Sequence, residues 1–281
     1  MSAADAHLTP KILHEDADLI AIDKPAGLLS HGAADVPSAL AWLQQRELAA
    51  GRDPERVHLV HRLDKETSGV LLLAFSAEMA NELGALFRDR KVLKFYLALT
   101  SPVPPLRWLR VEHRLRPRRI GGGEFMDVVS EGGLEASSEI EVLSRGRRFA
   151  LVRVIPEQGR KHQVRVALAA TGAPICGDFL YGGPLVARLA KRIMLHARAL
   201  EFAHPRTGQH MALRAPLPAD FRAMIAEDSG NVPVDLDRRH RTAPAGRDRA
   251  RDPDAPGHRA TAARAGTVKV PRSAPKPGQR R

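Results

Sequence analysis

Cysteine is almost absent from this chain: Cys176 is the one thiol in 281 residues. Intramolecular disulfides are excluded, and so is a zinc site built on several thiolates. Aromatic residues make up 4% of the chain, with tyrosine at positions 96 and 181 alone. Long apolar runs are missing too. Val70-Leu71-Leu72-Leu73-Ala74-Phe75 is far too short to cross a bilayer. Met1 to Pro10 shows no basic region followed by an apolar run, so no secretory signal is expected and the cytoplasm is the default compartment. The phosphate-cradling Gly-x-x-x-x-Gly-Lys-Ser/Thr loop, the dinucleotide fingerprint Gly-x-Gly-x-x-Gly and the Gly-x-Ser-x-Gly elbow are all lacking. Acids are outnumbered, with 32 Asp/Glu against 44 Lys/Arg and a net charge of +12. A basic excess points to an acidic partner, most often nucleic acid. What remains is ordinary for a soluble globular protein: 43% hydrophobic residues and enough length for a sizeable core.

The charge is unevenly spread. Ser229 to Arg281 holds 13 Lys/Arg, 5 Asp/Glu and 7 prolines, with no Phe, Tyr, Trp, Ile or Met. That tail carries +8 and leaves +4 for residues 1–228. Such a segment cannot bury enough apolar surface to offset its ordering entropy, so 229–281 is expected to be disordered. It reads either as a solubilising tail or as a polyelectrolyte arm for RNA.

The body, 1–228, reads as mixed α and β. Asp18 to Asp23 looks like a strand ending in a Lys24-Pro25-Ala26-Gly27 turn. Ser38 suits the cap of a helix through Ala50, and Ser76 that of an amphipathic helix with Met79, Leu83, Leu86 and Phe87 on one stripe. Gly69–Phe75, Lys91–Thr100 and Ile193–Phe202 suit strands, and Ser137–Leu143 with Phe149–Ile155 suits a hairpin. A helix is expected from Gly159 to about Thr171, and a short one from Pro218 to Glu227. Strands joined by short turns predict an α+β fold with a mixed, mostly antiparallel sheet and flanking helices.

Three segments break local rules. His61-Arg62-Leu63-Asp64-Lys65-Glu66-Thr67-Ser68 packs charge directly before a buried strand. Asp64 at the mouth of that strand is either catalytic or the organiser of a solvated turn. In Lys91–Leu99, alternation puts Leu93, Phe95, Leu97 and Leu99 on one face and Lys94, Tyr96 and Ala98 on the other. Tyr96 beside Lys94 is either a platform for a base and its phosphate or an ordinary sheet tyrosine. Gln158–Arg165 opens a helix with Arg160, Lys161, His162 and Arg165. Cations there oppose the helix dipole by ~0.3–1 kcal/mol each, a penalty easier to accept if an anion, a phosphate or a buried carboxylate, sits among them. The residues alone leave an RNA enzyme and a plain RNA-binding module both open.

His61-Arg62-Leu63-Asp64 with Thr67-Ser68-Gly69 resembles the signature of the RluA-type pseudouridine synthases. Asp23–Gly27, Lys94–Ala98, Gly159–Arg165, Gly177-Asp178 with Tyr181-Gly182-Gly183, and Met194–Ala197 resemble further motifs of that family, in its order, across roughly residues 12–222. Ordered motifs are far more specific than a lone one. The resemblance implies the pseudouridine synthase fold, a mixed sheet in two lobes with an RNA cleft between them. It implies conversion of uridine to pseudouridine in ribosomal or transfer RNA by a monomer, without metal or organic cofactor. By the same resemblance Asp64 is the catalytic carboxylate, acting as nucleophile at the sugar or in a related deprotonation route. Tyr96 would stack on the flipped uracil and assist proton removal. Arg165 would pair with Asp64 and hold it ionised and aimed. Leu195 would pack on the base, Arg62 would fill the gap left in the RNA stack, and Lys94, Arg160, Lys161 and His162 would contact RNA. Extruding a base costs a few kcal/mol, and an aromatic face returns about 1–3 kcal/mol.

Relatives often have His where this chain has Ala167, and many carry a small RNA-binding domain ahead of the catalytic one; here Leu13 already falls in the catalytic opening. An insertion rich in arginine, Arg107 to Arg119, is a further candidate for RNA contact. Two rival readings carry different expectations. A catalytically silent RNA-binding protein would bind RNA and leave its uridines unchanged. A metal-dependent nuclease would use Asp64 and Glu66, which alternate on an extended segment and would point apart.

Overall fold

The computed structural model describes residues 8–32, 36–120, 123–229, 236 and 266–269. Most of the expected disordered tail lies outside the described residues. Within it, Leu236 packs against the core, and Gly266–Lys269 forms a strand.

One mixed sheet dominates. It contains β1 (Lys11–Glu15), β2 (Leu19–Lys24), β3 (His58–Leu59), β4 (Ser68–Ala74), β5 (Leu93–Thr100), β6 (Trp108–Ile120), β7 (Gly123–Val129), β8 (Leu134–Arg145), β9 (Ala150–Pro156), β10 (Leu195–Ala203), β11 (His210–Arg214) and β12 (Gly266–Lys269). The order is β1-β2-β4-β10-β5-β9-β8-β6-β12, with β3 on β4, β11 on β10 and β7 on β6. β10 runs parallel to β4 and β12 parallel to β6, and the other pairs are antiparallel. Among the described residues five α-helices flank it: α1 (Ala39–Ala49), α2 (Ala77–Arg88), α3 (Gln163–Ala170), α4 (Phe179–Ala187) and α5 (Ala219–Ser229). The expected α+β architecture is present. Among the described residues no helix is long and apolar enough to cross a membrane.

Local chemistry explains the elements near the site. β4 is buried throughout, and apolar after Ser68, because both of its faces are covered. Val70, Leu72 and Ala74 join Met79 and Leu83 of α2, while Leu71 and Leu73 join Ala39 and Leu43 of α1. The hydroxyls of Ser38 and Ser76 cap α1 and α2 by accepting from the Ala41 and Met79 amides. A third core, under α3 and α5, is built on Leu97, Leu99, Val152 and Val154 with Leu168 and Phe221.

The two halves of the sheet meet at β4 and β10 through a short parallel ladder, Ser68 with His196 and Gly69 with Ala197. Beyond it the strands part, and β3 and β11 pair with their far ends. A Cβ on Gly69 would lie 2.2 Å from the Ala197 carbonyl oxygen, at a φ of +112°. Only glycine permits that approach. The Ser68 hydroxyl meets His196 Nδ1 at 3.0 Å and pins the same point.

Candidate active site

The segment between β3 and β4 carries Asp64, and its backbone is held from several sides. Ser30 Oγ donates to the Leu63 carbonyl at 2.8 Å and accepts from the Leu63 amide at 2.9 Å. The Lys65 carbonyl accepts from the Gly27 amide at 2.9 Å and from Lys24 Nζ at 3.1 Å. Lys24 is fully buried and also donates to the carbonyls of Leu28 and Pro25, at 2.7 and 3.0 Å. Three acceptors match the three hydrogens of an ammonium. Burial draws Lys24 down to about 7, against the pull of the Glu66 and Asp64 carboxylates. His61 accepts the Leu72 amide on Nε2 at 3.0 Å and stacks on Phe87 at 4.8 Å. Burial, with the nearby charge of Lys94, pushes His61 down to about 3, so it is a neutral structural acceptor.

The Asp64 side chain is 31% exposed. Its Oδ2 lies 3.4 Å from Arg165 Nη1 and 3.8 Å from His162 Nε2. The expected Arg165–Asp64 contact is therefore present, but it is the weaker of two. Arg165 grips Asp178 at both ends, Nε to Oδ2 at 2.7 Å and Nη2 to Oδ1 at 2.9 Å. Asp178 is fully buried and also caps α4, accepting from the Leu180 and Tyr181 amides. Burial works against the Arg165 charge, but the Asp178 hydrogen bonds and the two carboxylates hold its pKa above the usual guanidinium value. The guanidinium also lies over the Tyr181 ring at 5.1 Å. Among the anions weighed for the basic helix start, Arg165 has taken carboxylates.

Tyr96 sits in the centre of the sheet, with Ala197 of β10 on one side and Val154 of β9 on the other. Ala197 also faces Gly69, so Gly69, Ala197 and Tyr96 form one row across three strands. The ring packs against the cluster that holds Leu63 and Ala197. Burial and the negative charge of Asp64 raise the Tyr96 phenol well above its ordinary value. Asp64 and Tyr96 thus share one electrostatic environment, although 32 positions separate them. Leu195 is buried in the core against which Tyr96 also packs, so it offers a base little surface.

Two expectations need correction. Lys94, expected to contact RNA, is buried and donates to the Gln158 carbonyl at 2.9 Å. Both faces of β5 are covered, so alternation away from one core stripe led into another. Burial, with Arg90 and Arg160 nearby, lowers Lys94 to about 8. His162, also expected on RNA, turns inward toward Asp64, and its Nδ1 lies 2.8 Å from the Tyr181 hydroxyl. Burial lowers its pKa, opposed by Asp64 and assisted by Arg165 and Lys161. The other cations stay outside: Arg62 and Lys161 are exposed, and Arg160 is partly so. Lys161 meets Glu124 at 3.2 Å. In the arginine-rich insertion, Arg110, Arg114 and Arg118 pair with Glu112 and Glu157, Glu135 and Asp127, while Arg107, Arg116 and Arg119 are exposed. Sequence reasoning assigned no role to Asp178, Tyr181 or Lys24. An Asp directly before a helix reads as an ordinary cap, which Asp178 also is.

A family model described as RNA pseudouridylate synthase matches residues 18–170. A protein of Mycobacterium bovis named as an uncharacterized RNA pseudouridine synthase is 35% identical over 221 residues, covering 75% of this chain and 70% of its own. Ribosomal large subunit pseudouridine synthase C of Haemophilus ducreyi is 32% identical over 228 residues, covering 79% of this chain and 70% of its own. Among solved structures, human RNA pseudouridylate synthase domain containing 4 superposes with a TM-score of 0.63 at 30% identity, covering 76% of this chain and 91% of its own.

Proposed function

Because the chain belongs to the RNA pseudouridylate synthase family, whose members isomerise uridine in RNA, we propose that Asp64 carries that reaction here, on a base flipped out of structured RNA. The observation that carries this reading is the Asp64 carboxylate, held on a pinned loop beside a central tyrosine and within reach of an arginine already fixed by a second carboxylate.

In this reading the bond from C1′ to N1 breaks, the uracil turns, and a bond forms from C5 to C1′. The proton on C5 then leaves and N1, freed from the sugar, takes one up, so the product is an isomer of uridine. Asp64 acts either by adding to the sugar or by a related deprotonation, and a charged carboxylate serves both. Tyr96 supplies the aromatic face for the uracil. Arg62, Arg160 and Lys161 lie where phosphates can reach them, and each phosphate so neutralised makes binding more salt-dependent. The names of the relatives favour ribosomal RNA as the substrate, with transfer RNA the other class to assay. In this reading the protein acts as a monomer.

The test is release of tritium from RNA labelled at uridine C5, with wild type beside Asp64→Ala. Release by wild type alone supports the assignment. Release by both moves the chemistry away from Asp64. Tight RNA binding with no release from ribosomal or transfer RNA makes this a binding protein. Strand cleavage that needs added magnesium favours the nuclease reading.

A further inference from the structure

His162 has a backbone that asks for an explanation. It sits at φ 55°, ψ 12°, in the left-handed region, at the cap position of α3, and its side chain makes no capping bond. A non-glycine residue held there stores strain of order 1–3 kcal/mol, and such outliers cluster at functional sites. The conformation sends the ring inward, where its side chain is 10% exposed.

Each ring nitrogen has a defined neighbour. Nδ1 lies 2.8 Å from the Tyr181 hydroxyl, and Nε2 lies 3.8 Å from Asp64 Oδ2. The Tyr181 oxygen already accepts the Met126 amide at 2.9 Å. Its own hydrogen is then free for Nδ1, which places the ring proton on Nε2, facing Asp64. Met126 lies on β7 opposite Pro117, and its amide donates to the Tyr181 hydroxyl of α4. Around it, Leu115, Met126, Ala136 and Val166 form a small core against which Tyr181 packs. Burial pushes the Tyr181 phenol up to about 12, so it remains a donor at neutral pH.

We propose that His162 is a positioning residue for Asp64, that Tyr181 selects the ring nitrogen carrying its proton, and that the β6–β7 hairpin anchors the line through the Met126 amide. The inference rests on the reading of Asp64 given above. Arg165 and His162 both address Oδ2, so Oδ1 is the oxygen turned to the substrate. At 3.8 Å the His162 contact is open, and contacts of this kind tighten when substrate binds. The line ties the aim of Asp64 to the seating of a hairpin on which Arg116 and Arg119 are exposed.

The test uses the full chain and single-turnover tritium release from RNA labelled at uridine C5. Four proteins are compared: wild type, Tyr181→Phe, His162→Gln and the double variant. Tyr181→Phe removes one oxygen and keeps the ring; it should slow release about tenfold or more, since sub-ångström misplacement of a reacting group is costly. RNA affinity should stay within about twofold, because no phosphate contact is lost. His162→Gln carries an amide donor whose identity does not depend on Tyr181, so whatever rate it retains should no longer depend on Tyr181. In that background Tyr181→Phe should cost little, which is a non-additive cycle. Wild-type turnover by Tyr181→Phe, or the same penalty in both backgrounds, would overturn the proposal. Nitrogen-15 spectra of the His162 ring give a readout independent of turnover. An Nε2-protonated ring that changes in Tyr181→Phe supports the line, and an Nδ1-protonated ring in wild type overturns it. The expected tautomer without tritium release from any RNA would sink the isomerase reading and leave the tautomer assignment standing.

Discussion

Removing the Asp178 carboxylate should damage this protein twice, once in stability and once in chemistry. Asp178 is fully buried, and its two oxygens take Nε and Nη2 of Arg165 at 2.7 and 2.9 Å. Breaking a buried ion pair by deleting one partner costs about 3–5 kcal/mol, because the remaining charge is left uncompensated. Asp178→Ala also strips the α4 cap, which adds about 1 kcal/mol. Asp178→Asn keeps an acceptor for the cap and nearly the same shape, so its loss should be about 2–3 kcal/mol, the worth of charge-assisted bonds. Equilibrium unfolding in urea measures both. The chemical effect is separable from the loss of fold. With Asp178 neutral, the anion nearest to Arg165 is Asp64, 3.4 Å away. The guanidinium should close on it, and single-turnover tritium release by folded Asp178→Asn should fall by at least an order of magnitude. An Asp178→Ala protein within about 1 kcal/mol of wild type would refute the stability argument. Wild-type turnover by folded Asp178→Asn would refute the division of Arg165 between two carboxylates.

Asp64→Asn should abolish tritium release while leaving RNA affinity largely intact, and turnover near wild type would remove Asp64 from the reaction. Gly69→Ala forces a Cβ within 2.2 Å of a backbone oxygen that a strand pair holds in place. It should cost about 3 kcal/mol or more, and an unchanged unfolding midpoint would count against the register described. Burial raises Asp23 to about 6, against the pull of Lys11 and Lys24. A raised carboxyl contributes stability below its unfolded value near 4 and loses it as pH climbs through about 6. Asp23→Asn should therefore gain on wild type across that window, by on the order of 1 kcal/mol once solvent screening of a partly exposed group is allowed for. A difference that does not change with pH would show that Asp23 is not the titrating group. Ending the chain after Leu236 removes 13 Lys/Arg, and the salt dependence of RNA binding should become shallower. An unchanged slope would make that segment a bystander in binding.

What could be read from the sequence was what local rules decide. The caps at Ser38 and Ser76 and the doubly covered run of β4 are settled within a few residues, and the structure has them where expected. α4 escaped because Gly182-Gly183-Pro184 reads as a break; Gly183 does kink it, at φ 74°, and the chain turns helical again beyond. β1, β7 and β11 escaped because each is short and lies at or near an edge of the sheet; β11 does alternate, with Met211 and Leu213 buried, but over five residues only. In the site, Asp64 stood out by its charge before a buried strand. Asp178 did not, since its pairing with Arg165 is made where α3 and α4 meet, 13 positions apart. Alternation placed Lys94 and Tyr96 on the same face correctly. It could not say that this face is covered as well, because burial on both sides of a central strand is a property of the whole sheet.

The placement of Asp64 beside Tyr96 follows from small residues at the seam of the sheet. Neighbouring strands lie about 4.8 Å apart, so a row through β4, β10 and β5 sets Gly69 and Tyr96 roughly 10 Å from each other, with Ala197 between. A Cβ at Gly69 would strike the Ala197 backbone, and a large side chain at Ala197 would crowd the Tyr96 ring. Leu63, from the loop that presents Asp64, packs in the same cluster as Ala197 and Tyr96. The same loop cannot drift, because its carbonyls are held by Ser30, Gly27 and Lys24. Arg165 could have neutralised Asp64 in a tight pair, and Asp178 prevents it by taking the two best-placed hydrogens. Asp64 is left with one long contact to a guanidinium already paired with Asp178. A carboxylate meant only to organise a turn would not need its arginine held by a second carboxylate.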